Sequence, residues 1–112
     1  MSQVTFTGNV VDVEGKQFRL LYPIKEAFAL ADKVIVLFDA DANLGRQGQF
    51  KNLIALSRTG ELLWTAELPT DKPSDVYYRI ISRLPLKADS FCSFECEIDP
   101  TTGKIRHKEF FK

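Results

Sequence analysis

Asp39, Asp41 and Asn43 stand two residues apart directly after the apolar run Val34-Ile35-Val36-Leu37-Phe38, the stretch of this sequence that most invites a chemical reading. Carboxylates at the end of a buried strand can act as nucleophile and proton donor, or give oxygens to a hard cation. Calcium, however, asks for about six to eight oxygens, and this stretch offers an incomplete set. Cys92, Cys96 and His107 are the other reactive types. On one strand the two thiols would share a face but lie about 13 Å apart, beyond the roughly 7 Å Cα reach of a disulfide. One histidine cannot complete a zinc cluster, no serine sits in a glycine-flanked elbow, and no glycine loop ends in Lys-Ser or Lys-Thr. No catalytic residue, cofactor or metal is expected. Asp39, Asp41 and Asn43 remain candidate binding residues on an exposed loop over 39–49.

Two resemblances start from the same residues and stop there. The strand followed by Asp39-Ala40-Asp41 resembles the first motif of haloacid dehalogenase-type phosphohydrolases, where one aspartate attacks phosphorus and the next is acid and base. Ala42 and Asn43 replace the glycine and threonine of that motif, and no acidic pair follows to complete a magnesium site. Asp39, Asp41 and Asn43 also match the first, third and fifth positions of an EF-hand loop. Leu44 then stands where glycine is required, and Phe50 where the bidentate glutamate belongs.

The elements that would carry these residues read as hairpins. From Leu86 to Ile98 apolar and polar residues alternate, which is a β period in a strand long enough to need a bend near Asp89 and Ser90. Asp99-Pro100-Thr101-Thr102-Gly103-Lys104 then makes a turn, with Gly103 at the left-handed position. The implied register sets Ile98 opposite Ile105, Glu97 opposite Arg106, Cys96 opposite an inward-facing His107, and Glu95 opposite Lys108. A second hairpin pairs Asn52-Leu53-Ile54-Ala55-Leu56 with Leu62-Leu63-Trp64-Thr65-Ala66 around Gly60. Ser57 meets Glu61, Leu56 meets Leu62, Ile54 meets Trp64 and Lys51 meets Glu67. Both faces of this hairpin are apolar, so it should lie centrally. Residues 4–13 and 17–22 read as a hairpin across Glu14-Gly15, and 34–38 as a buried strand. Residues 24–32 fit a helical turn or an extended connection, and 74–84 fit helix or strand, with strand favoured by the hairpins on either side.

The segment Ala55-Leu56-Ser57-Arg58-Thr59-Gly60-Glu61-Leu62-Leu63-Trp64 resembles the blade hairpin of quinoprotein-type (PQQ-like) β-propellers, and residues 98–105 echo it without the tryptophan. The resemblance implies a blade-like meander with Trp64 as a structural wedge. A closed propeller needs at least four blades of about forty residues, so neither the ring nor its quinone cofactor is implied for 112 residues. The overall pattern is similar to that of small bacterial proteins of unknown function.

Composition bounds the rest. Lys plus Arg and Asp plus Glu each total 15, which leaves no net field to attract nucleic acid. No apolar run approaches the roughly 18 residues of a membrane span, and residues 1–10 lack the pattern of a signal peptide. The expectation is a single β-rich or all-β domain over 1–112, an antiparallel meander of six to eight strands with room for one short helix, in the cytoplasm. Its function is expected to be non-catalytic protein interaction, of the kind an immunity-type protein performs. The alternative is an enzyme, or a small-ligand or ion binder, using the loop 39–49. A protein partner or a symmetric homodimer would cover the second apolar face of the central hairpin, made by Leu53, Ala55 and Leu63.

Overall fold

Turn chemistry cuts the chain into hairpins, and the hairpins gather into three antiparallel sheets in a computed structural model that describes residues 3–43 and 48–111. Sheet A joins β1 (Val4–Thr7), β2 (Val10–Val13) and β3 (Lys16–Arg19) in that order. Glu14 and Gly15 form the tight turn between β2 and β3 at φ 54° and 89°, and positive φ at both positions is what the twist of a two-residue hairpin demands. Asp12 Oδ1 holds that turn by accepting the Gly15 N–H at 2.9 Å. Sheet B runs β4 (Ile24–Leu30), β5 (Lys33–Phe38), β6 (Leu53–Ser57), β7 (Leu62–Thr65). Sheet C runs β8 (Tyr77–Arg83), β9 (Leu86–Ser90), β10 (Phe94–Ile98), β11 (Ile105–Phe110).

The protein is all-β, and the eleven strands described exceed the six to eight expected for identifiable reasons. Residues 4–13 break at Gly8, whose φ is +59°, into β1 and β2. The run 86–98 is not one bent strand but a hairpin, closed over Phe91 to Ser93 with Ser93 at φ 73°. Apolar and polar residues stay in phase across that turn, so alternation alone passes through it unnoticed. Residues 24–32 become strand β4, with no helix, and 74–84 supply β8. A short 3-10 turn, Ala40–Asn43, is the one helical element described.

Sheet B is the middle layer. Period two sends alternate residues of β5 to opposite faces, and all five from Val34 to Phe38 are buried. Ile35 and Leu37, with Phe28, Leu53, Ala55 and Trp64, pack on Tyr77, Leu86, Ala88, Cys96 and Ile98 of sheet C. Val34, Val36 and Phe38, with Ile54 and Leu56, pack on Val11 and Val13 of sheet A. The outward faces of A and C carry Thr5, Asp12 and Gln17 on one side and Glu95, Glu97 and Glu109 on the other, so the stack ends in polar surface. The face of Leu53 and Ala55 is therefore covered from within, which corrects the expectation that a second molecule must cover it. Leu53 and Ala55 are fully buried, and Leu63 alone of that trio is exposed.

Both loop-glycine hairpins carry a bulge that shifts the expected register. Leu56 pairs Leu62 as expected, but Ala55, not Ile54, then faces Trp64, leaving Leu63 as the extra residue. In sheet C, Ile98 pairs Ile105, and Glu97 then faces His107, leaving Arg106 extra. His107 consequently lies on the outward, exposed face, and Cys96 pairs with Lys108.

One device recurs between layers: an aromatic ring closes on the turn glycine of the next sheet, leaving no room for a Cβ. A Cβ at Gly60 would fall 2.6 Å from the Phe18 ring, and one at Gly103 would fall 2.6 Å from the Trp64 ring. Trp64 also donates its indole N–H to Pro100 O at 2.9 Å. Asn52, fully buried, ties B to C more directly, donating through Nδ2 to Phe38 O and Tyr77 O and accepting the Tyr77 N–H on Oδ1 at 3.0 Å. Buried Asp75 does similar work beside it, with Oδ2 accepting from Thr70 Oγ1 at 2.8 Å and Oδ1 from the Cys92 N–H at 3.1 Å.

Candidate functional site

Sheet A has three strands and sheet B has four, so A stops short of β7 and leaves a strip of B's inner face open. The opening is a cleft of about 490 Å³, within the size range of small-ligand sites. Phe38, Phe50, Ile54 and Leu56, all buried, line it. Tyr22, just beyond β3, meets Phe38 and Phe50 edge-on at 5.3 and 4.8 Å between ring centres, which fixes the aromatic wall. Leu21 and Leu62 stand on the lip, 85% and 61% exposed. Gln49 is anchored there by donating to Thr70 O at 2.6 Å and Lys72 O at 2.9 Å.

Arg19 and Lys51 are the charged residues of the lining, and no described acidic residue joins them. Lys51, expected opposite Glu67, stands instead on this rim. Glu67 turns to sheet C, where its Oε1 accepts the Ile105 N–H at 2.8 Å. Among the described residues neither Arg19 nor Lys51 has an ion-pair partner. A second concavity, lined by Phe28, Arg58 and Arg83, differs on this point. Arg83 stacks on Phe28 at 4.4 Å and pairs with Glu26 at 3.3 Å, while Arg58 lies 3.9 Å from Glu14 and donates to Ala31 O. Its cations are already offset by the chain's own carboxylates.

The residues singled out in the sequence fall elsewhere. Asp39 starts the 3-10 turn, its Oδ1 accepting the Asp41 N–H at 3.0 Å, and both side chains are exposed away from the cleft lining. Asn43 closes the turn, and residues 44–47 of the loop 39–49 lie outside the described residues. Among the described residues no three His, Cys, Asp or Glu side chains gather to hold a metal ion. Cys96 and His107 sit on opposite faces of sheet C, so the thiol and imidazole are not brought together. Burial pushes the Cys96 thiol up to about 11, partly offset by its contact with the Tyr77 hydroxyl, so it stays protonated and packs as a small apolar residue. Tyr77 is raised for the same reason, burial first.

Arg19, Tyr22, Phe50, Lys51 and Leu62, which form the cleft, carry no local motif. The one available signal was the pair Leu62-Leu63 after a turn, apolar where a strand flank is usually polar. A family model, "Domain of unknown function (DUF7957)", matches residues 1–110 and so takes in all three sheets. The chain belongs to the DUF7957 family. No curated protein and no solved structure matches it. Among the described residues no helix is long and apolar enough to cross a membrane.

Proposed function

We propose that the chain is a non-catalytic binding domain, and that the cleft between β3 and β7 receives an apolar, negatively charged group of its partner. The observation that carries this reading is the composition of the lining: a buried aromatic and aliphatic floor with Arg19 and Lys51 at the rim and no described carboxylate to neutralise them. Apolar contact would supply most of the affinity and the two cations the orientation. The unpaired cysteines Cys92 and Cys96 support a reducing, cytoplasmic setting.

Anilinonaphthalene sulfonate, an aromatic ring system with one fixed negative charge, is a suitable probe. The folded protein should bind it saturably, one molecule per chain. Lys51→Glu should weaken it by at least about fivefold, since reversing a nearby charge is worth roughly 1 kcal/mol even in high dielectric. Leu62→Glu, at an exposed lip position, should do the same without unfolding the chain. No saturable binding, or binding that both variants leave unchanged, would refute the reading.

A further inference from the structure

We infer that the cleft's natural occupant is an extended, acidic segment of another protein, which adds itself as a strand to the free edge of β7. This deepens the binding reading above and rests on it. Strand β7 pairs with β6 on one side and ends sheet B on the other. Donation of the Ala66 N–H to Leu53 O at 2.8 Å shows which groups face β6 at the end of this strand. By alternation the N–H of Thr65 points the other way, out from the sheet. Glu67, two residues on, points outward too, and its N–H is already taken by Gly103 O of sheet C at 3.1 Å. The edge is therefore competent to bond a neighbouring chain, and sheet C closes it at its far end. What remains, Leu62 to Thr65, is a slot of at most about 13 Å, bent at the Leu63 bulge, which takes a short added strand.

Protected edges look different in this molecule. Strand β3 carries Lys16 and Arg19, β4 carries Lys25 and Glu26, β8 carries Arg79 and Arg83, and β11 carries Arg106, Lys108 and Glu109. Such charges keep an edge from pairing with a stray strand. Strand β7, Leu-Leu-Trp-Thr, has none, and β1, the other uncharged edge, lies against β4. Leu62 and Thr65 line the cleft, so alternate side chains of an added strand would drop into it. The charge of the occupant follows from Arg19 and Lys51, which call for Asp or Glu beside the inserted apolar residue.

Selection from a random linear peptide library displayed on phage, with the full chain as bait, tests this. Enriched peptides should alternate apolar residues with Asp or Glu. A synthetic copy of the leading peptide should displace anilinonaphthalene sulfonate, and N-methylation at alternate backbone positions should weaken it at least tenfold, with the other alternate set nearly neutral. Lys51→Glu, which sets one carboxylate beside the remaining Arg19, should abolish the preference for acidic peptides. Enrichment of basic peptides on the parent, or equal tolerance of both N-methylated sets, would overturn strand addition. So would a chain that binds the dye yet enriches no peptide, an outcome that leaves the cleft reading standing. If sedimentation velocity shows a dimer broken by Leu62→Glu, the slot belongs to a second copy and the inference fails.

Discussion

Sheet B meets its two neighbours by the same device and with unequal results. Toward sheet C, Trp64 seals the contact, lying on Gly103 and bonded to Pro100 O, while Asn52 joins the two backbones from within. Toward sheet A, Phe18 lies on Gly60 in the same manner, but the ring is only half-buried. Sheet C has four strands as B does, whereas A has three and lacks one to cover β7. A binding cleft can thus arise from an omission: where the third layer ends early, an apolar face that would otherwise be core becomes available to a partner.

The largest expected effect separates the two interfaces directly. Trp64→Ala should lose about 3–5 kcal/mol of stability, the range for a truncated buried aromatic. Phe18→Ala should lose about 1–2 kcal/mol, because less of its surface leaves water on folding. Thermal melts of both variants check this, and equal losses would break the distinction between a sealing and a half-open contact.

A smaller effect tests the glycines beneath the rings. Gly15, Gly60 and Gly103 all have positive φ, and a Cβ at Gly15 meets nothing within 4 Å. Gly15→Ala should therefore show backbone strain alone, about 1–2 kcal/mol. Gly60→Ala should add little, since the Phe18 ring can swing toward solvent. Gly103→Ala should be the most damaging of the three, because the indole it displaces is bonded and enclosed. Urea titrations that rank Gly60→Ala above Gly103→Ala would contradict the comparison.

The smallest effect concerns pH and belongs to the sealed side. Cys96 is held at about 11 in the fold against 9.0 for a free thiol, so the unfolded chain loses this proton first. Its share of stability is complete below about pH 9 and is lost as pH rises toward 11. Stability measured by urea from pH 8 to 11 should fall over that window. Cys96→Ala should delay the fall until above pH 10, where the buried Tyr77 phenol, also raised, begins to act in the same sense. A Cys96→Ala profile that overlays the parent's would show that burial of this thiol is not what sets the slope.

Much of the fold could be read from residue order. Glu14-Gly15, the Gly60 loop and the Gly103 loop announced their hairpins, and the two apolar faces of 52–66 announced a central sheet. The registers slip by one because a bulge residue continues the run it stands in, Leu63 between apolar Leu62 and Trp64 and Arg106 ahead of polar His107 and Lys108, and so leaves no mark of its own. The burial of Asn52 and Asp75 is not legible, since a polar residue at the start of a strand reads as exposed and theirs depends on partners distant in sequence, Tyr77 at 25 residues for one and Cys92 at 17 for the other. The cleft escaped for a related reason: Arg19, Phe38, Lys51 and Leu62 come from four separate segments and share a wall through topology alone. Asp39, Asp41 and Asn43 have the more conspicuous spacing, yet the Asp39 carboxylate is spent on holding its own turn.

Backbone amide chemical-shift mapping during titration with anilinonaphthalene sulfonate tests the central claim most directly. The account predicts saturable shifts concentrated in Arg19 to Tyr22, Gln49 to Lys51 and Leu62 to Thr65, with the buried parts of sheet C, Leu86 to Ala88 in β9 and Cys96 to Ile98 in β10, unmoved. Shifts centred on Phe28, Arg58 and Arg83, or spread evenly over the outward faces of sheets A and C, would contradict it.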